Sequence, residues 1–213
     1  MTRTYLFLLA AAALILAACS KGPMAGPDPD PAVNPPGNNP SNKLTGTWKF
    51  AGMELKGQSV TSASDMEGNT LKGITDFDYI SIENKGTVTF DERMMTSKDI
   101  SYMVDTKVKG ASYVNGELME SEELPWRVTI PASGSSASYE LKANDSLYSQ
   151  ASTVSFPGID APLTGQPMAC KLSWKGDTLV LKSRVNYTKN SSANGTATIV
   201  SSSMDQVTKL VRK

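Results

Sequence analysis

From Leu44 to the C-terminus, apolar and polar residues alternate with a period of two in one run after another. Ile100, Tyr102, Val104 and Val108 share a parity opposite Ser101, Met103, Asp105 and Lys107. Trp126, Val128 and Ile130 oppose Arg127 and Thr129, and Tyr139 and Leu141 oppose Glu140 and Lys142. Cys170, Leu172 and Trp174 oppose Lys171, Ser173 and Lys175, while Leu179, Leu181, Val185 and Tyr187 oppose Lys182, Arg184 and Asn186. Side chains on a strand point alternately to its two faces, so these runs predict antiparallel strands with one buried and one solvated face. Helical periodicity is hard to find.

The breaks between runs carry turn chemistry. Asn115-Gly116 and Asn194-Gly195 are dipeptides suited to a two-residue type I′ hairpin, in which both central residues need positive φ. Asn84-Lys85-Gly86 and Lys175-Gly176-Asp177 predict two further reversals. The count is eight to ten strands joined as successive hairpins. The fold class is therefore all-β, an antiparallel up-and-down meander closing into a barrel of about eight strands, with a β-sandwich as the alternative. Closure would remove the exposed edges of so long a meander. Two irregular stretches are candidate rims: residues 57–76, expected as a loop over the barrel mouth, and residues 143–167, expected as a long connection that includes at most a short strand.

The N-terminus has a different character. Arg3 precedes an apolar run from Tyr5 to Ala18, and Leu16-Ala17-Ala18-Cys19 closes it. A positive end and a short apolar core followed by small residues is the anatomy of a secretory signal. Small residues before a cysteine resemble the lipobox of bacterial lipoproteins. That resemblance implies a signal peptide over 1–18, lipidation at Cys19 (palmitate among the acyl chains) and anchorage in a membrane. Ser20, standing where an aspartate retains such proteins at the inner membrane, implies an outer-membrane destination facing either the periplasm or the cell surface.

Residues 19–42 form a tether. Seven prolines, from Pro23 to Pro40, alternate with Gly, Asn and Asp. Such a segment favours extended conformations at about 3.1 Å per residue, a reach of at most ~70 Å. The folded domain is then 43–213, long enough to bury a core of its own.

Composition narrows the function classes. Lys plus Arg number 21 and Asp plus Glu 21, so no strong field exists to attract nucleic acid. Histidine is absent, which removes the commonest general base and the commonest zinc ligand. No cofactor or metal is expected, and the chain is expected not to be an enzyme. Of the two cysteines, a lipidated Cys19 leaves Cys170 single, a buried thiol without a disulfide. Glu117, Glu120, Glu122 and Glu123 beside the Asn115-Gly116 turn read as a solvated hairpin end.

Gly46-Thr47-Trp48, opening the domain, resembles the Gly-x-Trp signature at the start of the lipocalin fold. The resemblance implies that Trp48 plugs the closed end of an eight-stranded barrel, with Arg212 from the last strand packed over its ring. The family's second motif is missing from its place, for Thr75-Asp76-Phe77 has the letters but is read as lying before the second strand. If the alternating sets face inward, Tyr102, Val104, Trp126, Val128, Tyr139, Leu172, Trp174 and Leu181 line the interior. The expected function is an envelope lipoprotein whose barrel binds a small hydrophobic or amphipathic ligand. The alternative is a structural, protein-interaction or glycan-binding module with a filled barrel or sandwich, presented to an envelope protein partner.

Overall fold

A computed structural model describes residues 43–65, 67–142, 145–149, 168–193 and 196–213. The signal peptide, Cys19, the tether, the Asn194-Gly195 turn and most of the 143–167 connection lie outside the described residues.

Nine strands follow in order: β1 (Gly46–Ser64), β2 (Thr70–Ile80), β3 (Ile82–Phe90), β4 (Met94–Val114), β5 (Glu117–Lys142), β6 (Ser146–Ser149), β7 (Met168–Lys175), β8 (Thr178–Ala193) and β9 (Thr196–Arg212). All belong to one antiparallel sheet, and β9 returns to pair with β1 over most of its length, from Trp48↔Arg212 to Ala63↔Thr198. The hydrogen-bonded ring runs β1-β3-β4-β5-β6-β7-β8-β9, eight strands, so the architecture is a barrel and not two stacked sheets. Strand β2 continues the line of β3, pairing with the far half of β1 and with β4.

The turns explain the path. Asn115 and Gly116 both take positive φ, 51° and 86°, the type I′ geometry that joins β4 to β5. Gly176 at φ 58° turns β7 into β8. Asn84-Lys85-Gly86 is not a reversal. It lies inside β3, where the pairing with β4 slips from Ile82↔Met103 to Lys85↔Ser101 and then to Thr87↔Lys98. Positive φ at Glu83 and Gly86 marks a bulge there, which bends the wall without ending it.

The 57–76 stretch is likewise not a loop. Residues 57–64 extend β1 and 70–76 belong to β2, paired from Gly57↔Phe77 to Ser64↔Thr70. Thr75-Asp76-Phe77 therefore lies within β2, the strand directly after β1. Its serines and threonines are polar but compatible with a strand. The polarity of this hairpin reflects an upper barrel interior that is not apolar: Ser59 and Ser202 face each other, with Ser202 Oγ donating to Ser59 Oγ at 3.0 Å.

The core is layered by register. Trp174, Leu179, Leu210 and Phe50 stand level on β7, β8, β9 and β1, and Leu172, Leu181, Thr208 and Met53 form the next layer. Above them come Leu147, Cys170, Ser183, Gln206, Leu55 and Tyr79. Outside, Lys56–Asp78, Arg127–Asp105 and Arg184–Asp205 form exposed ion pairs. Charges occupy the rows where a membrane-spanning barrel carries its apolar belt. Met103, expected on this solvated face, is buried opposite Ile82.

Candidate functional site

The barrel wall lines a cavity of about 250 Å³ that is partly open to solvent. Strands β1, β3, β4, β5, β7, β8 and β9 all contribute to its wall, so it lies in the interior and not at a seam. One side is aromatic and aliphatic, with Phe50, Phe90, Ile100, Ile130 and Leu210. The other carries Cys170, Ser183, Gln206 and Thr208, neighbours across β7, β8 and β9. A third group, Ser97, Ser133, Gly134 and Ser135, comes from the irregular part of the β4–β5 pairing, where Ser97 Oγ and Ser135 Oγ are 2.8 Å apart.

Of the residues expected to line the interior, Tyr102 and Leu181 are in the cavity wall. Val104 and Leu172 are buried in the core away from it. Trp126, half-buried, closes the core above with Phe77 and Tyr79, ring centroids 5.9 and 5.7 Å distant; Val128 is half-buried on the same strand. Tyr139 packs edge-on against Phe90 at 5.7 Å and donates its hydroxyl proton to the Asp91 carbonyl. Trp174 lies under Lys43, whose Nζ is 4.8 Å from the ring centroid.

Trp48 sits at the other end of the barrel, almost fully buried, and its Nε1 donates to the Leu44 carbonyl at 2.9 Å. The Arg212 guanidinium is 5.4 Å from the ring centroid and donates to the Thr45 carbonyl at 3.3 Å. The two residues are direct partners in the β1–β9 ladder, which sets the stack without help from side-chain reach.

Polar atoms in this interior are few. Gln206, only 8% exposed, donates from Nε2 to Thr208 Oγ1 at 2.8 Å, and its Oε1 has no hydrogen-bond partner. Tyr79 and Tyr102 turn their hydroxyls toward one another, and neither completes a hydrogen bond of good geometry. Burial pushes both phenols up, Tyr102 to about 12. Burial also raises the Cys170 thiol to about 11, against a small opposing effect of the Ser183 hydroxyl. The thiol is therefore neutral and unreactive at ordinary pH. No cluster of metal-ligating side chains occurs among the described residues. The four glutamates near the β4–β5 turn are exposed, one of them, Glu123, 3.8 Å from Lys107.

Most wall residues, Phe50, Phe90, Ser183, Gln206 and Leu210 among them, were not among the expected lining residues, and Gln206 shows why. It stands in the polar run Ser201–Gln206, and only its register opposite Leu55 and Ser183 turns it inward. Its parity with Met204 and Leu210 was the available signal.

Neither a protein-family profile nor a curated protein matches the chain. Among solved structures, the crystal structure of Ail, the attachment invasion locus protein of Yersinia pestis, aligns with 78% of this chain and 99% of its own. The identity is 8% and the TM-score 0.18, a likeness too slight to support any part of the functional reading.

Proposed function

We propose that this is a non-enzymatic outer-membrane lipoprotein, anchored through Cys19, whose lipocalin-like barrel binds one small apolar or amphipathic molecule. The observation that carries the reading is the interior cavity of about 250 Å³, walled mainly by apolar side chains with a few convergent polar groups. A well-packed core of this size holds few voids larger than a water molecule. The lipobox, the proline-rich tether and the missing histidines support the anchored, non-catalytic part.

An apolar cavity of ~150 Å³ takes benzene, so by proportion this one has room for about ten non-hydrogen atoms. At roughly 0.5–0.8 kcal/mol per atom, binding reaches about 5–8 kcal/mol, a Kd of roughly 1–200 µM. Calorimetric titration of the full-length chain with neutral aromatic and aliphatic compounds of that size tests it. Saturable one-to-one binding is expected; heats indistinguishable from dilution for the whole set would refute the reading.

A second reading, a tethered module that docks an envelope protein, draws on the tip of the β4–β5 hairpin. There Leu118 and Met119 are 58% and 63% exposed. A photocrosslinker at position 119 that yields one defined adduct in the envelope, lost on Leu118→Ser, would favour it.

A further inference from the structure

We infer that Asn115 is a latent self-modification site: a clasp between two hairpin tips holds back its deamidation, and deamidation, once it occurs, releases the clasp for good. This stands apart from the ligand-binding reading.

The clasp is a directed relay of side-chain amides. Thr70 N donates to Asn115 Oδ1, Asn115 Nδ2 to Asn69 Oδ1, and Asn69 Nδ2 to Asp65 Oδ2, each at 2.9 Å. Asn115 N also donates to the Thr70 carbonyl at 2.8 Å. The β1–β2 turn is thereby tied to the β4–β5 turn.

The ends of the relay fix its sense. A backbone N–H only donates, and at neutral pH the Asp65 carboxylate only accepts. Its pKa is held below the ordinary value, chiefly by the Asn69 side chain. The two amides between them then have one consistent orientation. An aspartate at position 115 still accepts from Thr70 but has no proton for Asn69 Oδ1. Turning the Asn69 amide over to compensate would set its oxygen against Asp65. Asparagine completes the relay, and its deamidation product does not.

The same residue carries the chemistry to undo this. Asn115 and Gly116 are exposed, and with no side chain on the glycine its backbone nitrogen is unshielded. That nitrogen attacks Asn115 Cγ, the Cγ–Nδ2 bond breaks, and Nδ2 departs as ammonia with the amide proton. Water opens the resulting cyclic imide at either carbonyl, leaving aspartate or isoaspartate. One water is consumed, one ammonia is released, and nothing is oxidised or reduced. The folded turn opposes the first step. In a type I′ turn ψ at Asn115 is about +30°, which puts the Gly116 nitrogen on the far side of the Cα–C bond from Cγ. The relay meanwhile holds both ends of the side-chain amide, so attack requires the turn to open. An isoaspartate lengthens the backbone of this two-residue turn by one carbon, so neither product rebuilds the clasp. The tip released is the one that bears the exposed Leu118 and Met119.

Peptide mapping by mass spectrometry tests this, because the tryptic peptide 110–127 contains no other asparagine and no glutamine. At pH 8 and 37 °C, Asn115 in the full-length chain is expected to deamidate roughly tenfold or more slowly than in the free peptide. Asn69→Ala removes one hydrogen bond of the clasp and should raise the rate in the folded chain about fivefold. Thr47→Ala removes the hydroxyl contact with Thr89 at the opposite end of the barrel and should leave the rate unchanged. Asn115→Asp should speed hydrogen exchange over residues 67–72 and 113–118. A folded-chain rate equal to that of the peptide, unmoved by Asn69→Ala, or raised equally by Thr47→Ala overturns the inference. Unchanged exchange in Asn115→Asp overturns the release of the clasp.

Discussion

The Trp48–Arg212 stack shows how one residue pair can be read from sequence and what it is worth. Glycine-x-tryptophan at the start and an arginine beside the last residue were enough to anticipate it, because strand pairing of the two chain ends forces the contact. Trp48→Ala removes a fully buried ring and its hydrogen bond to Leu44, and should destabilise by about 3–5 kcal/mol in urea denaturation. Arg212 is exposed, so Arg212→Ala should cost about 1 kcal/mol at most and shift the tryptophan emission. Equal losses for the two variants would mean that the stack, and not burial, dominates. The phenols of Tyr79 and Tyr102 make a pH prediction. Their folded pKa values lie above the ordinary 10, so the unfolded chain loses these protons first as pH rises. Stability is therefore fully present below pH 10 and falls above it, through about 12 for Tyr102. Tyr102→Phe should flatten that alkaline fall in thermal midpoint.

At the level of elements, what was legible followed from strict period-two alternation, and what was not followed from the barrel's shape. The runs around Trp126, Leu172 and Leu181 read correctly because each has one apolar and one polar or charged face; the run around Tyr102 did so except at Met103, which is buried. The 57–76 hairpin did not, since serine and threonine stand on both of its faces and blur the alternation. The β3 bulge failed for a different reason: Asn-Lys-Gly is as good a bulge as a turn, and only pairing with β4 decides. The two glycines so distinguished should respond unequally. At Gly86, φ is +108° and a Cβ would lie 2.6 Å from the Asp99 carbonyl oxygen, backbone that cannot swing aside. At Gly116, φ is +86° but nothing lies within 4 Å. Gly116→Ala should thus cost about 1 kcal/mol from backbone strain alone. Gly86→Ala should cost roughly 2–4 kcal/mol, strain plus a clash in the wall. Urea midpoints of the two variants check the order. Residues 117–138 of β5 pair with β4 on one side and with no described strand on the other, and Glu120, Glu122, Glu123 and Pro125 there discourage edge-to-edge association.

For the whole molecule, the decisive property is an interior that is neither filled nor fully apolar, and no local sequence pattern encodes it. Whether eight strands enclose a packed core or a cavity depends on summed side-chain volume across strands distant in sequence. Here serines on β4, β5 and β8 and the thiol of Cys170 leave the space that larger side chains would occupy. Ser183 is the position at which that space can be closed most directly. It faces the cavity between Cys170 and Gln206, level with Leu55 and Leu147, and its neighbours across the strands are fixed by the β7–β8 and β8–β9 ladders. Ser183→Leu adds apolar volume without disturbing the exposed ion pairs or the Trp48 end. In a filled barrel the added atoms would overpack the core and cost about 1–3 kcal/mol. In a barrel with room to spare they bury apolar surface in existing space, so the thermal midpoint should hold or rise. Binding of the ligand proposed above should weaken at least tenfold, because the leucine takes a share of the volume. A variant that is markedly less stable would show that the interior has no room to spare, and one that binds as tightly as the unaltered chain would show that the ligand does not occupy this cavity. Retained stability together with lost binding would tie the ligand-binding function proposed for the domain to its unfilled interior.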